Sequence, residues 1–567
     1  MAPSAPQYQP VPTTPSVSVG DAATPCSTTS SSPPSSSSRR RYSDPASRGG
    51  LLASPIPRGM RLRPIPLILA FMVLAILSGS FIHPTPRSYI ADYLSSSTST
   101  LNPSTALTSN VQPATGGLPA HLGIPMTLEA RLAYLLSRPA LWQWEAELPS
   151  RHGCPFYTYN RNTYFFHEGK PEQWEQVTPT DVKRYRNKIV EYMRGVEREG
   201  GKLVWEDGMD AHVPAAERRG LIYTAGDGPA LNRLRLCLHM LRKVIGSKIL
   251  VHVYHFKGEL EEPGLKDGFE ADYDIKFIEV GGRRQDGKSW NIKNIAFLHT
   301  QFTEFVYLDS DNIPLIDPME LFEGAEYKQS GSVFWSDLNK DHPDNAIFRV
   351  MGRDCTDDHW PGEAGQLVFD KRANNGLNLA VLHLTNHMME EDKMYGFLSY
   401  GDKDTFRFSF YALGLDYQMA PRIFASAGGY QTENGEDSHE FCGHTMLHWA
   451  LTPSSEAHNP AYSPKPAFLH TILAKHRYHL QPEKLFTHVR KPRLDGITDP
   501  RLVRTYYEWT GQCFGITLKG PDGTMGVEGS WGDGQGVEMI SMEELIGDNM
   551  VWRELQELSR TFVNIDH

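Results

Sequence analysis

Residues 305–314, FVYLDSDNIP, constrain the fold of this chain more than any other segment. The apolar run 305–308 predicts a strand that is covered on both faces, as in a parallel α/β sheet. Ligands of such sheets gather outside the carboxyl ends of the strands, where Asp309 and Asp311 follow directly. Two carboxylates one residue apart can hold Mn²⁺ or Mg²⁺, so this segment predicts a metal site at the edge of a sheet.

The segments around this strand alternate between apolar runs and helical periodicity, which indicates an α/β domain. Further strands are predicted at 220–225, 249–256, 275–280, 331–335 and 364–369, and helices from Thr178-Pro179 onward, at 231–241, 289–301 and 373–394. No G-x-G-x-x-G or P-loop motif follows the first strand, so the dehydrogenase and P-loop interpretations lose their main support.

The first 125 residues of the chain read as a membrane-anchoring region. Residues 1–63 are rich in Ser, Pro and Thr and predict a disordered cytosolic tail. Residues 64–83 contain an uncharged apolar run that predicts one transmembrane signal anchor, and 84–125 predict a Ser/Thr/Pro-rich stem. Arginines crowd the tail, so we expect a single-pass type II protein of the Golgi membrane, with the lumenal catalytic domain at 126–567.

Charge and cysteine content narrow the class of protein further. The formal net charge of −11 argues against nucleic acid as a partner. Five cysteines follow the predicted anchor and would face an oxidising lumen, which predicts at most two disulfides and one free thiol, with the connectivity open. They are Cys154, Cys237, Cys355, Cys442 and Cys513.

Several acidic side chains are candidates for chemistry. Glu363, in WPGEAGQLVFDK, precedes an apolar strand and could face the same crevice as Asp309, or be a loop acid. Asp402 and Asp404, in YGDKDTFRFSF, open a segment of alternating phenylalanines and could instead be helix caps.

A histidine and a lysine are candidates for the far wall of the site. His470, in FLHTILAKH, could complete a metal shell, and Lys475 could offset phosphate charge. His444 and His448, in CGHTMLHWAL, compete for the ligand role, although their spacing also suits one face of a packed helix. We predict that His470, rather than either of them, closes the metal site.

Three motifs in this order, YLDSDNIP, W-P-x-E-x-G-Q and YGDKDTFRF, resemble the fungal Golgi α-mannosyltransferases of glycosyltransferase family 71, over about 220–475. The resemblance implies a GT-A type, Rossmann-like nucleotide-sugar fold, GDP-mannose as donor, Mn²⁺ as cofactor and a mannose-containing glycan as acceptor. DKDTF is similar to the DQD-x-x-N segment of the retaining family 8 galactosyltransferases. His470 and Lys475 are similar to the family 8 motif H-x-x-G-x-x-K, one residue shorter and without its glycine.

The resemblance also implies roles for individual residues. The expected catalytic residues are Glu363, Asp402 and Asp404; the donor-binding ones are Asp309, Gln366 and Lys475; the metal ligands are Asp309, Asp311 and His470. We therefore expect retaining transfer of mannose to N-glycan or mannan branches, by front-face attack or by double displacement through Glu363 or Asp402. The alternatives are a GT-A transferase that uses a UDP-sugar and a non-catalytic lumenal glycan-binding protein.

Overall fold

The computed structural model describes residues 123–154, 170–492, 503–507, 513–518 and 537–562, apart from short gaps at 262–263, 267, 283–289, 357–359, 391–394, 397, 399–400, 433, 460, 477–478 and 548. The predicted tail and anchor lie outside the described residues, as does nearly all of the predicted stem. Within the described ranges, no helix combines the length and the apolar composition that crossing a bilayer requires.

The strands of the described residues form two sheets. In chain order they are β1 (Arg219–Thr224), β2 (Leu250–Phe256), β3 (Ile275–Val280), β4 (Glu304–Leu308), β5 (Asn312–Pro314), β6 (Ser332–Ser336), β7 (Gly362–Asp370), β8 (Gln418–Met419), β9 (Ala425–Gln431), β10 (Asp437–Trp449), β11 (Pro466–His470), β12 (His488–Pro492), β13 (Val503–Tyr507), β14 (Phe514–Leu518) and β15 (Val537–Ser541).

Helices cover the first sheet and the ends of the described chain. The α-helices are α1 (Leu128–Ser137), α2 (Gln143–Gly153), α3 (Lys170–Glu175), α4 (Pro179–Arg198), α5 (Gly228–His239), α6 (Phe269–Tyr273), α7 (Ile292–His299), α8 (Ala325–Ser330), α9 (Ala346–Met351), α10 (Asn378–Glu390), α11 (Lys403–Leu413), α12 (Met542–Ile546) and α13 (Met550–Phe562). A π-helical turn, Met240–Val244, continues α5, and short 3₁₀ turns lie at Ala215–Glu217, Pro318–Glu323, Ser454–Glu456, Ala474–His476 and Pro482–Lys484.

The first sheet has the order β3-β2-β1-β4-β7-β6-β8. Strands β1 to β4 pair in parallel, whereas β7 runs antiparallel to both β4 and β6. The α/β prediction is therefore confirmed, but the sheet is mixed rather than fully parallel. Every residue of β4 is buried, as its apolar run predicted.

Two hydrophobic cores lie on the two faces of this sheet, because successive side chains of a strand point to opposite sides. Ile222 and Tyr307 pack in the core that contains Ile292 of α7. Leu221 and Val306 pack in the core that contains Leu231 and Leu234 of α5. Helices α5 and α7 therefore approach the carboxyl edge of the sheet from opposite faces.

The second sheet was not anticipated from the sequence. It has the order β13-β14-β10-β9-β12-β15, and β11 pairs with both β10 and β5. In the β5–β11 ladder His470 lies opposite Asn312, the residue that follows Asp311. The second sheet therefore brings a histidine from late in the chain to the acidic pair.

Some local predictions need correction. The helix predicted from residue 373 begins at Asn378, because Asn374, Asn375 and Gly376 have φ angles of 53°, 55° and 82°, which a helix cannot contain. The helical interpretation of His444 and His448 is wrong, since both lie in β10. Helix α4 begins as predicted, with Thr178 as its cap and Pro179 in its first turn.

Disulfides tie distant parts of the chain together, and the cysteine prediction is confirmed. Cys154 pairs with Cys355 and Cys442 with Cys513, while Cys237 is a buried free thiol. The second disulfide joins β10 to the residue before β14, which is a link within the second sheet.

Candidate active site

The turn between β4 and β5 presents the two carboxylates. The amide of Asp309 donates to the carbonyl of Gly365 at 2.8 Å, and the amide of Asn312 donates to the carbonyl of Asp309 at 3.0 Å. The Asn312 side chain donates to the Gly365 carbonyl at 2.8 Å and to the side-chain oxygen of Gln366. The backbone of the acidic pair is thus held from both ends by β7.

The free thiol of Cys237 lies behind the same turn. Its Sγ is 3.3 Å from the carbonyl of Ser310 and 3.4 Å from that of Asn312, the two residues that flank Asp311. Burial raises the pKa of this thiol well above its ordinary value, so Cys237 stays a neutral donor. It supports the turn from the α5 side.

Asp309, Asp311 and His470 form a three-residue group in which one ligand atom of each lies within 4.8 Å of the others. Nε2 of His470 is 3.6 Å from Oδ1 of Asp311 and 3.9 Å from Oδ2 of Asp309. Two carboxylate oxygens and an imidazole nitrogen are suitable donors for Mn²⁺ and other divalent ions.

The second nitrogen of His470 faces another carboxylate. Nδ1 lies 3.3 Å from Oε1 of Glu363, an arrangement that orients metal-binding histidines in many proteins. Burial alone would lower the pKa of His470, but the carboxylates of Asp311 and Glu363 outweigh it and raise this pKa to about 10. The group therefore strongly favours positive charge at this position, and the residues present fit a bound cation.

Gly365 explains the glycine of the W-P-x-E-x-G-Q motif. A Cβ at this position would lie 2.4 Å from Cε1 of His470, closer than real Cβ contacts allow. The imidazole can reach the acidic pair only because residue 365 has no side chain.

Lys475 neutralises the carboxylate of Asp311. Its Nζ lies 2.6 Å from Oδ2 of Asp311. Burial would raise the pKa of Asp311, but Lys475 and His470 pull it well below its ordinary value, so the carboxylate stays ionised. The pair sits at the rim of a cavity, where Lys475 can also meet an incoming anion.

Lys293, in the first turn of α7, is a site residue that the sequence did not reveal. Its buried Nζ lies 3.1 Å from Asp309, 2.9 Å from Asp402 and 2.9 Å from the carbonyl of Ala364. Burial would lower the pKa of Lys293, but Asp309 and Asp402 raise it well above its ordinary value. The hydroxyl of Tyr307 also donates to Asp309, so the carboxylate of Asp309 is held by both Tyr307 and Lys293.

These groups line a cavity of about 370 Å³. Its walls come from the carboxyl edge of the first sheet and the N-terminal ends of α5, α7 and α11. The lining residues that carry charge are Asp227, Arg233, Lys293, Asp309, Asp311, Glu363, Asp402, Lys403 and Lys475.

Besides His470, two of the predicted site residues lie behind this lining rather than in it. The carboxylate of Asp404 pairs with Lys403 at 2.9 Å and with Arg407 at 3.1 Å, inside α11. Gln366 is fully buried and accepts its hydrogen bond from Asn312. In this structure both residues contact other parts of the site rather than the cavity.

The competing histidines are placed differently from His470. His448 is fully buried, neither of its ring nitrogens has a hydrogen-bond partner among the described residues, and burial lowers its pKa to about 3. His444 is also buried, and its Nδ1 contacts the hydroxyl of Thr445 at 3.0 Å. Neither belongs to the group formed with the acidic pair.

These placements sharpen the histidine prediction. We expect His470→Gln to weaken Mn²⁺ binding at least about tenfold, whereas His448→Leu and His444→Leu leave it unchanged and alter the melting temperature first. Electron paramagnetic resonance of free Mn²⁺ measures binding without any assay of activity. An Mn²⁺ affinity that changes in His448→Leu or His444→Leu but not in His470→Gln would refute the assignment.

The chain is similar to known mannosyltransferases over part of its length. The model of a family described as "Mannosyltransferase putative" matches residues 218–359 and 355–450. The chain is 23% identical over 291 residues to the α-1,2-mannosyltransferase MNN21 of Candida albicans. This alignment covers 41% of this chain and 43% of the relative. The chain is also 23% identical over 189 residues to the α-1,2-mannosyltransferase MNN22 of the same organism, covering 27% and 32%.

Solved glycosyltransferase structures align over a smaller part of the chain. The glycosyltransferase GlyE of Streptococcus pneumoniae TIGR4 aligns with a TM-score of 0.25 and 13% identity, over 35% of this chain and 45% of that one. An active-site mutant of LgtC aligns with a TM-score of 0.27 and 14% identity, over 35% and 72%. These scores are too low to carry an argument about the site.

Over residues 218–450 the chain is thus similar to a family described as mannosyltransferases. The predicted similarity to fungal α-mannosyltransferases is confirmed, since the matched family and the Candida relatives are named for that activity. The chain spans less than half the length of these relatives.

Proposed function

We propose that this protein is an α-mannosyltransferase of GT-A type that moves mannose from GDP-mannose to a hydroxyl of a mannose-containing glycan. We propose Mn²⁺ as its cofactor and retention of the anomeric configuration. The observation that carries the proposal is that Asp309, Asp311 and Lys475 line one cavity at the carboxyl edge of the sheet, with His470 against the two carboxylates. The names of the relatives support mannose as the transferred sugar.

The side chains at the rim suit a nucleotide diphosphate. A divalent ion held by Asp309, Asp311 and His470 would neutralise charge on the departing diphosphate. Lys475 and Arg233 line the cavity on the α5 side and add positive charge there. The N-terminus of α5 lies in the same wall, where the carboxylate of Asp227 caps the helix by accepting from the amide of Ala230 at 2.9 Å.

Two further carboxylates, Glu363 and Asp402, line the cavity and are candidates to contact the donor sugar. In transfer, the bond between the anomeric carbon and the phosphate oxygen breaks, and its electron pair leaves with the diphosphate. The acceptor hydroxyl then bonds to that carbon and passes its proton to an oxygen of the departing diphosphate. A nearby carboxylate stabilises the positive charge that develops on the sugar.

The contacts favour Asp402 for this role. Asp402 lines the cavity at the start of α11 and pairs with Lys293 through one of its oxygens, Oδ2, at 2.9 Å. Glu363 is occupied by the imidazole of His470 and by the amide of Gly365, at 3.3 Å and 2.8 Å. We therefore infer that Glu363 orients the histidine while Asp402 faces the donor sugar.

A donor panel tests the proposed function. The full chain is incubated with GDP-mannose, UDP-galactose and UDP-glucose and an α-mannobiose acceptor, with Mn²⁺ or with EDTA. We expect an α-linked mannose product from GDP-mannose alone, and its loss in EDTA. Transfer from a UDP-sugar instead would replace the donor assignment, and undiminished transfer in EDTA would refute the metal.

A further inference from the structure

We propose that the indole of Trp290 is the platform on which the acceptor glycan lies, at the α7–α11 wall of the cavity. This inference rests on the proposed function, because it names the part of the same cavity that takes the second substrate. It assigns a role to a side chain that the sequence analysis did not single out.

Trp290 is unusual among the large apolar side chains of the described residues. Six others are exposed, but Trp290, at 40% exposure, is the one that lines the cavity. Trp290 stands three residues before Lys293, so the backbone that carries it is continuous with the helix that supplies the site lysine. An aromatic surface is thus held at the mouth of a charged cavity.

The surroundings of Trp290 match the chemistry of a sugar. Its six-membered ring lies over Gly401, where an added Cβ would be 3.4 Å from the indole Cε3. Gly401 is followed by Asp402 and Lys403, which also line the cavity. A pyranose has an apolar C–H face that packs on an aromatic ring and a rim of hydroxyls that need charged or polar partners.

The position of the indole separates the acceptor from the nucleotide. Lys475 and Arg233, which suit phosphate, belong to the α5 side of the sheet. Trp290 belongs to the α7 side with Lys293 and Asp402, close to the inferred donor sugar. A glycan bound on the indole would therefore lie beside the reacting carbon, without competing for the phosphate wall.

Lys403 makes the adjacent surface rigid. Its ammonium lies 2.9 Å from Asp404 and 3.1 Å from Asp337. These two carboxylates are not part of the cavity lining, and they hold the side chain in place from behind it. Such anchoring fixes the charged neighbours of the indole and lowers the entropic cost of ordering them around a ligand.

The test compares Trp290→Ala and Trp290→Phe with Trp144→Ala. Trp144 is the control because it is an exposed tryptophan on α2, outside the cavity lining. We expect Trp290→Ala to raise the KM for α-mannobiose at least about tenfold, the equivalent of one well-made aromatic contact. The KM for GDP-mannose should stay at the wild-type value, and Trp290→Phe should recover most of the acceptor affinity.

Each other outcome is decisive. An increased KM for GDP-mannose with an unchanged acceptor KM would assign the indole to the nucleotide and overturn the proposal, as would no change in either. If Trp290→Ala does not fold, Trp290→Leu and Trp290→Phe provide the same comparison. If the wild type transfers nothing, the proposed function fails, and calorimetric binding of α-mannobiose to wild type and Trp290→Ala still decides the role of the indole.

Discussion

Replacing Asp311 by asparagine is expected to lower the rate of mannosyl transfer at least about a hundredfold and to lower the melting temperature as well. The loss of rate follows from removing a charged ligand of the proposed metal. The loss of stability follows because Asp311 is 5% exposed and forms a 2.6 Å ion pair with Lys475. Removing one partner of a buried pair leaves the other charge uncompensated, at a cost of about 3–5 kcal/mol.

A double variant separates the two effects. Asp311→Asn combined with Lys475→Met removes both charges of the pair, so we expect the melting temperature to recover while transfer stays at the level of the single variant or below it. Rates are measured with saturating Mn²⁺ and melting curves in EDTA. Wild-type transfer by Asp311→Asn would contradict the metal assignment, whatever its stability.

Replacing Lys293 by methionine is expected to have the second large effect, with transfer reduced at least about a hundredfold. Methionine keeps most of the volume of the side chain but removes the ammonium that lies between Asp309 and Asp402. The carboxylates of Asp309 and Asp402 would then repel each other across the donor site, and the orientation of Asp309 as a metal ligand would be lost. We expect the free energy of unfolding to fall as well, by about 3–5 kcal/mol.

Lys371 provides a matched control for this experiment. It is also a buried lysine, but its Nζ donates to the carbonyl of Thr300 at 2.8 Å, and burial lowers its pKa to about 7. Lys371→Met should leave the transfer rate per folded molecule unchanged. If Lys293→Met also transfers at the wild-type rate, Lys293 is a structural lysine of the same kind, and the assignment of the cavity is wrong.

The sequence predicted those parts of the site that depend on local pattern. The apolar run before Asp309 identified a buried strand, and its acidic pair emerges at the sheet edge as expected. His470 and Lys475, which the sequence analysis assigned to the metal and to the donor phosphate, both contact Asp311, because the short turn after β11 carries them to the same carboxylate. Their catalytic and metal-binding roles stay predictions.

The parts that were missed depend on packing between distant segments. Lys293 follows a polar stretch, and a lysine in a helical pattern normally indicates a solvated face. Its burial arises only because α7 packs against the sheet beside α10 and α11. The second sheet escaped prediction because β9, ASAGGYQ, has small residues and glycines in place of an alternating apolar pattern.

The pairing of β5 with β11 also determines how short a fragment of this protein can be if it is to contain the whole site. The segment that matches the family model ends at residue 450, before β11 begins at Pro466. A chain cut at that point would lack His470 and Lys475. It would also leave β5 without β11, the strand that pairs with it. A fragment that keeps the whole proposed site must therefore extend past the boundary of the family match, at least through Lys475.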